Sequence, residues 1–125
     1  MNPEIKQLWV DALRSGEYQQ GEGALKSWTG WGDEFCCLGV LCELHRKSQP
    51  EGSRVEWEGP KLDSRSSSEY LRSGGVPPME VRWWAGLNSY SPAVRLDRLN
   101  QTLADINDGG EADFLQIADL IEWHL

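Results

Sequence analysis

Long apolar runs are missing from this 125-residue chain, and with them any segment able to span a bilayer. The opening stretch MNPEIKQLWVDALRSG carries charges throughout and lacks the apolar centre of a secretory leader. Basic residues are scarce: 12 Lys and Arg against 20 Asp and Glu leave a formal charge of −8. Such a chain repels phosphate backbones, which argues against double-stranded nucleic acid as a partner. Cysteine is scarce too, and all three lie in FCCLGVLCELH, residues 35–45. Two adjacent thiols and a third in an apolar run make no secreted disulfide framework, so the cytoplasm is the expected compartment. Repeats and composition breaks are absent, which leaves one domain over 1–125 with a polar loop or insertion at about 48–76. No phosphate loop is present either, because GEGALKS has its glycines, Lys and Ser in the wrong order.

What is present reads as helices and short strands. Asn2 and Pro3 start a helix that Gly16 ends, with Ile5, Leu8, Trp9, Ala12 and Leu13 on one face. Residues 17–31 suit a short strand or two with turns, EFCC a strand end, and LGVLCELHRK a helix with a cationic last turn. SRVEWEG alternates like an exposed strand, and the rest of 48–76 reads as loop. Pro78 opens a helix closed by Gly86, with Val81, Trp84 and Ala85 inward and Trp83 off that stripe. Residues 94–107 are ambiguous: Leu96, Leu99, Leu103 and Ile106 keep helical spacing, while the residues around 101–107 also allow a strand. Asp113 and Gln116 form a capping box for a last helix. The expected fold is α+β, with three or four helices packed on a small, largely antiparallel sheet.

Several sites deserve weighing. Cys37, Cys42 and His45, with His124, are zinc ligands by type, but structural zinc favours paired knuckles on polar loops. Here the thiols sit among Leu38, Val40, Leu41 and Leu44, where free cysteine behaves as a small hydrophobe. A Cys36–Cys37 disulfide would need a strained ring and an oxidising compartment, and the apolar setting works against a cysteine nucleophile. DINDGGEADFLQ resembles a calcium loop only at its start: Gly109 and Gln116 stand where carboxylates belong, and a turn before a capped helix explains it. Spacing alone does not decide whether Asp105 and Asp108 act as an acid pair. No metal and no cofactor are therefore expected.

The seven tryptophans are another matter. Trp28, Trp31, Trp57, Trp83, Trp84 and Tyr90 exceed what short helices need for their core. Arg82, Arg95, Arg98 and Asn88 lie near the last three in sequence. Either these aromatics cover seams and the arginines are solvated, or they form a wall that stacks a base and binds phosphate.

From end to end the chain resembles a family of small bacteriophage proteins. The resemblance rests on Trp9, Leu13, Ser15, Gly16, Tyr18, Gln20 and Gly21, on the aromatic-CCLGVLC string at 35–42, and on the P-x2-V-x2-W-x-GL segment at 78–87. It closes on Asn107, Asp108, Gly110, Phe114, Ile117, Ala118, Asp119, Ile121 and Glu122, with Ile106 in place of a leucine. It implies an accessory phage protein that counters host defence without being an enzyme, and it adds Tyr18, Gln20, Trp84, Asn107 and Asp108 as site candidates. The leading expectation is sequestration of a nucleotide-like signal by residues 82–98, with Gln20 and Asn107 nearby. The first alternative is an acidic inhibitor of a host defence protein or nucleic-acid-binding complex. It is motivated by residues 101–125, which carry six acidic residues and no Lys or Arg, a charge of −6. The second alternative is a small cysteine- or metal-dependent hydrolase built on Cys37, His45 and Asp108. A homo-oligomer is compatible with each.

Overall fold

A computed structural model describes residues 1–53, 55–59, 65–96, 99–110 and 112–125, with side chains omitted at 95–96 and 99–100. Helix α1, Pro3–Arg14, begins where the Asn2 side chain accepts the N–H groups of Glu4 and Ile5. Its apolar stripe buries Ile5, Trp9, Val10 and Leu13. The last helix, α5 (Phe114–His124), starts from the Asp113–Gln116 capping box and buries Phe114, Ile117, Ala118 and Ile121. These two stripes pack against each other, and full burial of each such side chain stabilises by about 1.5–3 kcal/mol.

The main sheet contains β1 (Gln19–Gln20), β2 (Lys26–Trp28), β3 (Asp33–Phe35), β4 (Trp57–Glu58) and β5 (Ser66–Tyr70). Its order is β1-β3-β2-β5-β4, with β1–β3 parallel and the other pairs antiparallel. Helix α2, Cys37–Ser48, follows β3 directly and buries most of its first nine residues. Helix α3 (Met79–Ala85) ends at Gly86, whose φ of +71° suits glycine. A two-stranded hairpin follows, β6 (Ala93–Leu96) paired with β7 (Leu99–Thr102), and then α4 (Leu103–Asp108), capped by the Thr102 hydroxyl.

The α+β class is as expected, with two corrections of detail. The described residues hold five helices rather than three or four. The extra one arises because the ambiguous 94–107 stretch is a strand, a strand and a helix in succession. Within the expected 48–76 loop, Ser66–Tyr70 is instead an interior strand, hydrogen-bonded to β2 and β4 on its two sides. Three serines gave it no apolar alternation to read, yet Ser68 and Tyr70 are buried. Among the described residues no helix is long and apolar enough to cross a membrane.

Candidate functional site

The cysteine segment is where the elements converge. Cys36 caps α2, its sulfur accepting the Gly39 N–H at 3.4 Å. Gly39 lets the β2 approach cross the helix: a Cβ there would stand 1.7 Å from the Leu25 carbonyl oxygen. Trp9 Nε1–H donates to the Cys37 carbonyl at 2.9 Å. Burial pushes the Cys36 thiol up to about 11 and raises Cys37 and Cys42 well above the usual thiol range. A thiol so placed holds no nucleophilic thiolate at neutral pH. The His45 ring is hydrogen-bonded to other groups. Its Nδ1 lies 2.6 Å from the Tyr70 hydroxyl, and the Gln49 amide approaches Nε2 at 3.1 Å. Burial lowers its pKa against a weaker raising effect of Glu80, which favours the neutral ring. Among the described residues, no group of three or more His, Cys, Asp or Glu is arranged to hold a metal ion.

Gln20, Asn107 and Asp108 do come together, as the end of a polar network beneath that segment. The fully buried Asn107 accepts from Cys37 N–H at 3.2 Å and Gln20 Nε2 at 3.0 Å, and donates to the Gly21 carbonyl at 2.8 Å. Asp108 accepts from Gly23 N–H and from the Asn107 amide. Their hydrogen-bonding capacity is largely spent on joining α2, α4 and the β1–β2 loop. Among the described residues no hydrogen bond, ion pair or ring contact joins them to Arg82, Trp83 or Asn88.

Tyr18 and Trp84 lie at the two ends of a column of rings. Centroid separations run Tyr18–Phe35 5.3 Å, Phe35–Trp57 6.1 Å, Trp57–Tyr70 5.0 Å, Tyr70–His45 5.7 Å and His45–Trp84 5.2 Å. The contacts are edge-on or tilted, the arrangement ring quadrupoles prefer. Lys47 donates to the Tyr18 hydroxyl at 2.8 Å. Beside the column a cleft of about 390 Å³ opens between the sheet and α2. Sequence reasoning missed its key residue, the buried Glu43, which accepts from Trp57 Nε1 at 2.8 Å and pairs with Arg46. The only signal in the sequence was Arg46 three residues on, within ion-pair reach along a helix. Lys26 lies over the Phe35 and Trp57 rings, 3.7 Å from Asp33. Two of the cleft's charge pairs are internal, Lys26–Asp33 and Arg46–Glu43, while Glu56 also lines it and Asp33 Oδ1 is buried without a hydrogen-bond partner among the described residues.

The α3–β6 face differs. Met79, Arg82 and Trp83 are helix neighbours at i, i+3 and i+4, and Trp83 is 71% exposed. The Arg82 guanidinium stacks 4.0 Å from the centroid of the half-exposed Tyr90 ring. Its Nε is buried without a hydrogen-bond partner, and among the described residues no carboxylate pairs with it. Asn88 is exposed in the same α3–β6 connection and lines a shallow cavity of about 210 Å³. The Arg95 backbone pairs with Asn100 in the β6–β7 hairpin, and Arg98 lies outside the described residues. Of the sequence-predicted residues in this segment, Arg82 contacts Tyr90, while Trp83 and Asn88 are exposed on α3 and on the connection that follows it.

The decisive comparison covers the whole chain. The protein belongs to the DUF8296 family, a domain of unknown function, whose profile matches residues 1–125. No curated protein and no solved structure matches it. Within this DUF8296 chain the CCLGVLC string thus has a packing rationale: small residues where α2 meets the backbone of Leu25, and thiols enclosed by the core.

Proposed function

We propose that this protein is a non-enzymatic binding protein for a nucleotide-like ligand, held on the α3–β6 face. One observation carries the reading: a guanidinium without a carboxylate partner among the described residues is stacked on Tyr90, and the next residue on the helix, Trp83, is exposed. A base stacks on the indole, a contact typically worth about 1–3 kcal/mol, and the guanidinium takes the phosphate through paired N–H donors. Asn88 supplies an amide for the base or sugar edge. The buried, raised-pKa thiols favour this over a cysteine hydrolase. The resemblance to phage proteins supplies the biological setting, removal of a nucleotide signal used by host defence.

Thermal-shift and calorimetric titration with cyclic dinucleotides, ADP-ribose derivatives and mononucleotides tests it. A ligand that binds only the folded state raises the unfolding midpoint, by about 2.7 kcal/mol of stability at 100 times Kd. The expected result is a shift with at least one of these, lost in Trp83→Ala and Arg82→Ala. The absence of a shift with every nucleotide rejects the reading. A second reading, an acidic inhibitor of a host defence protein, draws on Leu115 and the 83%-exposed Trp123 on the outer face of α5, beside Asp119 and Glu122. No nucleotide shift, with salt-sensitive capture of a basic host protein, would favour it.

A further inference from the structure

The cleft of about 390 Å³ between α2 and the sheet is unbalanced in charge and in hydrogen bonding. Two cations, Lys26 and Arg46, line it against three carboxylates, Asp33, Glu43 and Glu56. Lys26 lies 3.7 Å from Asp33, and Arg46 pairs with Glu43. Glu56 is exposed and has no ion-pair partner among the described residues. Asp33 Oδ1 is buried and accepts no hydrogen bond from a described residue. Buried acceptors in folded proteins nearly all have a donor, because a charged one left without is costly. The Asp33 side chain is itself 32% exposed, and the terminal torsion of an aspartate is broad and two-fold. A rotation of that bond offers the oxygen to the cleft.

Phe35 and Trp57 form the aromatic corner of the same cleft, meeting edge-on with centroids 6.1 Å apart. Lys26 Nζ lies 5.7 and 5.2 Å from those centroids, so the rings already attract a cation. The Trp57 indole is held by its Nε1–H bond to Glu43, which presets the face it offers. A compact ammonium would duplicate Lys26, whereas a guanidinium is planar, weakly hydrated and carries forked donors. We infer that this cleft binds a guanidinium group, brought by a small guanidino compound or by an arginine side chain. The plane stacks on Trp57 while its N–H groups serve Asp33 Oδ1 and the Glu56 carboxylate. One positive charge then balances the lining, and the field of a chain of net charge −8 favours its approach. The site shares no residue with the α3–β6 face and does not depend on a nucleotide binding there.

Titration of the intact protein with a doubly blocked arginine, acetyl-arginine methylamide, tests this by amide NMR, read at the Trp57 indole N–H. The expected result is a saturable shift with a Kd of about 1 mM or below. Tetramethylammonium, a cation without N–H groups, should bind about tenfold more weakly, since it forms no charge-assisted hydrogen bond. Glu56→Gln, at an exposed position, should weaken the blocked arginine about threefold, and Asp33→Asn about tenfold. Methylguanidinium separates the two sources. Equal affinity for it assigns the site to a small guanidino compound, and tighter binding of the blocked arginine assigns it to a protein side chain. No saturable shift at Trp57, tetramethylammonium binding as tightly, or an affinity unchanged in both variants would each overturn the inference. Should Asp33→Asn not fold, an unchanged affinity in Glu56→Gln alone does so.

Discussion

The N-terminus of α2 and the α3–β6 face treat their polar groups in opposite ways. At α2, residues with reactive side chains are consumed by architecture: Cys36 caps, Cys37 and Cys42 fill space, and Asn107 supplies hydrogen bonds to three elements. At α3, ordinary surface residue types are left uncommitted: an indole in solvent and a guanidinium stacked but not ion-paired among the described residues. Residue type is therefore a poorer guide to function here than unspent bonding capacity.

The sharpest way to break the contrast is at Gly39. A methyl group there meets the Leu25 carbonyl at 1.7 Å, so α2 or the chain entering β2 must shift. Overpacking of this kind typically costs about 1–3 kcal/mol and occasionally more, and backbone leaves little room to relax, so Gly39→Ala should lose about 3 kcal/mol. Urea denaturation measures it. An unchanged midpoint would mean that the crossing is looser than described and that the segment's architectural role is wrong.

A smaller effect should come from His45, where the ring column meets α2. The imidazole faces Tyr70 from β5, Trp84 and Glu80 from α3, and Gln49 at the helix end. Burial holds its folded pKa below the unfolded value of about 6.5. The unfolded chain then binds the extra proton more readily, so this contribution to stability is present above about pH 6.5 and lost as pH falls from there through the folded pKa. Thermal midpoints from pH 8 downward should show the decline, and His45→Gln should flatten the part of the slope that begins near neutrality. An equal slope in the variant would assign the dependence to carboxylates.

Much of this was legible in the sequence because helix ends are local. Asn2–Pro3, Pro78 and Gly86, and the Asp113–Gln116 box each act within a few residues, and all mark the observed boundaries. The burial of the thiols followed from their apolar neighbours, and the outward position of Trp83 from its helical phase. What stayed hidden depends on partners distant in sequence. The serine-rich β5 is a strand because β2 and β4 flank it. The helical spacing of Leu96, Leu99, Leu103 and Ile106 spans a hairpin and a helix, since Leu96 and Leu99 are cross-strand partners. Gln20 and Asn107 were expected near residues 82–98, but spacing carries no information on which loop an amide will bridge. The Arg82–Tyr90 stack lies across a loop, beyond any helical rule.

The smallest expected effect is the one that sharpens the comparison most. If the α3–β6 face is uncommitted, removing its side chains should leave the fold nearly untouched. Trp83 is mostly in solvent, so Trp83→Ala forfeits little burial and should stay within about 0.5 kcal/mol of the wild type, as surface substitutions usually do. Arg82→Ala loses the stack on Tyr90 but also removes an Nε–H that is buried without an acceptor. Cation–π contacts at exposed sites stabilise by about 0.5–1 kcal/mol, while an unsatisfied buried donor costs about 1–3 kcal/mol. The balance predicts a midpoint that is unchanged or slightly raised. Urea denaturation of both variants beside Gly39→Ala makes the comparison quantitative. A loss at Arg82 or Trp83 approaching that at Gly39 would show that α3 is part of the architecture. Near-neutral variants that have lost the ligand-induced shift would place binding on a face the fold does not need.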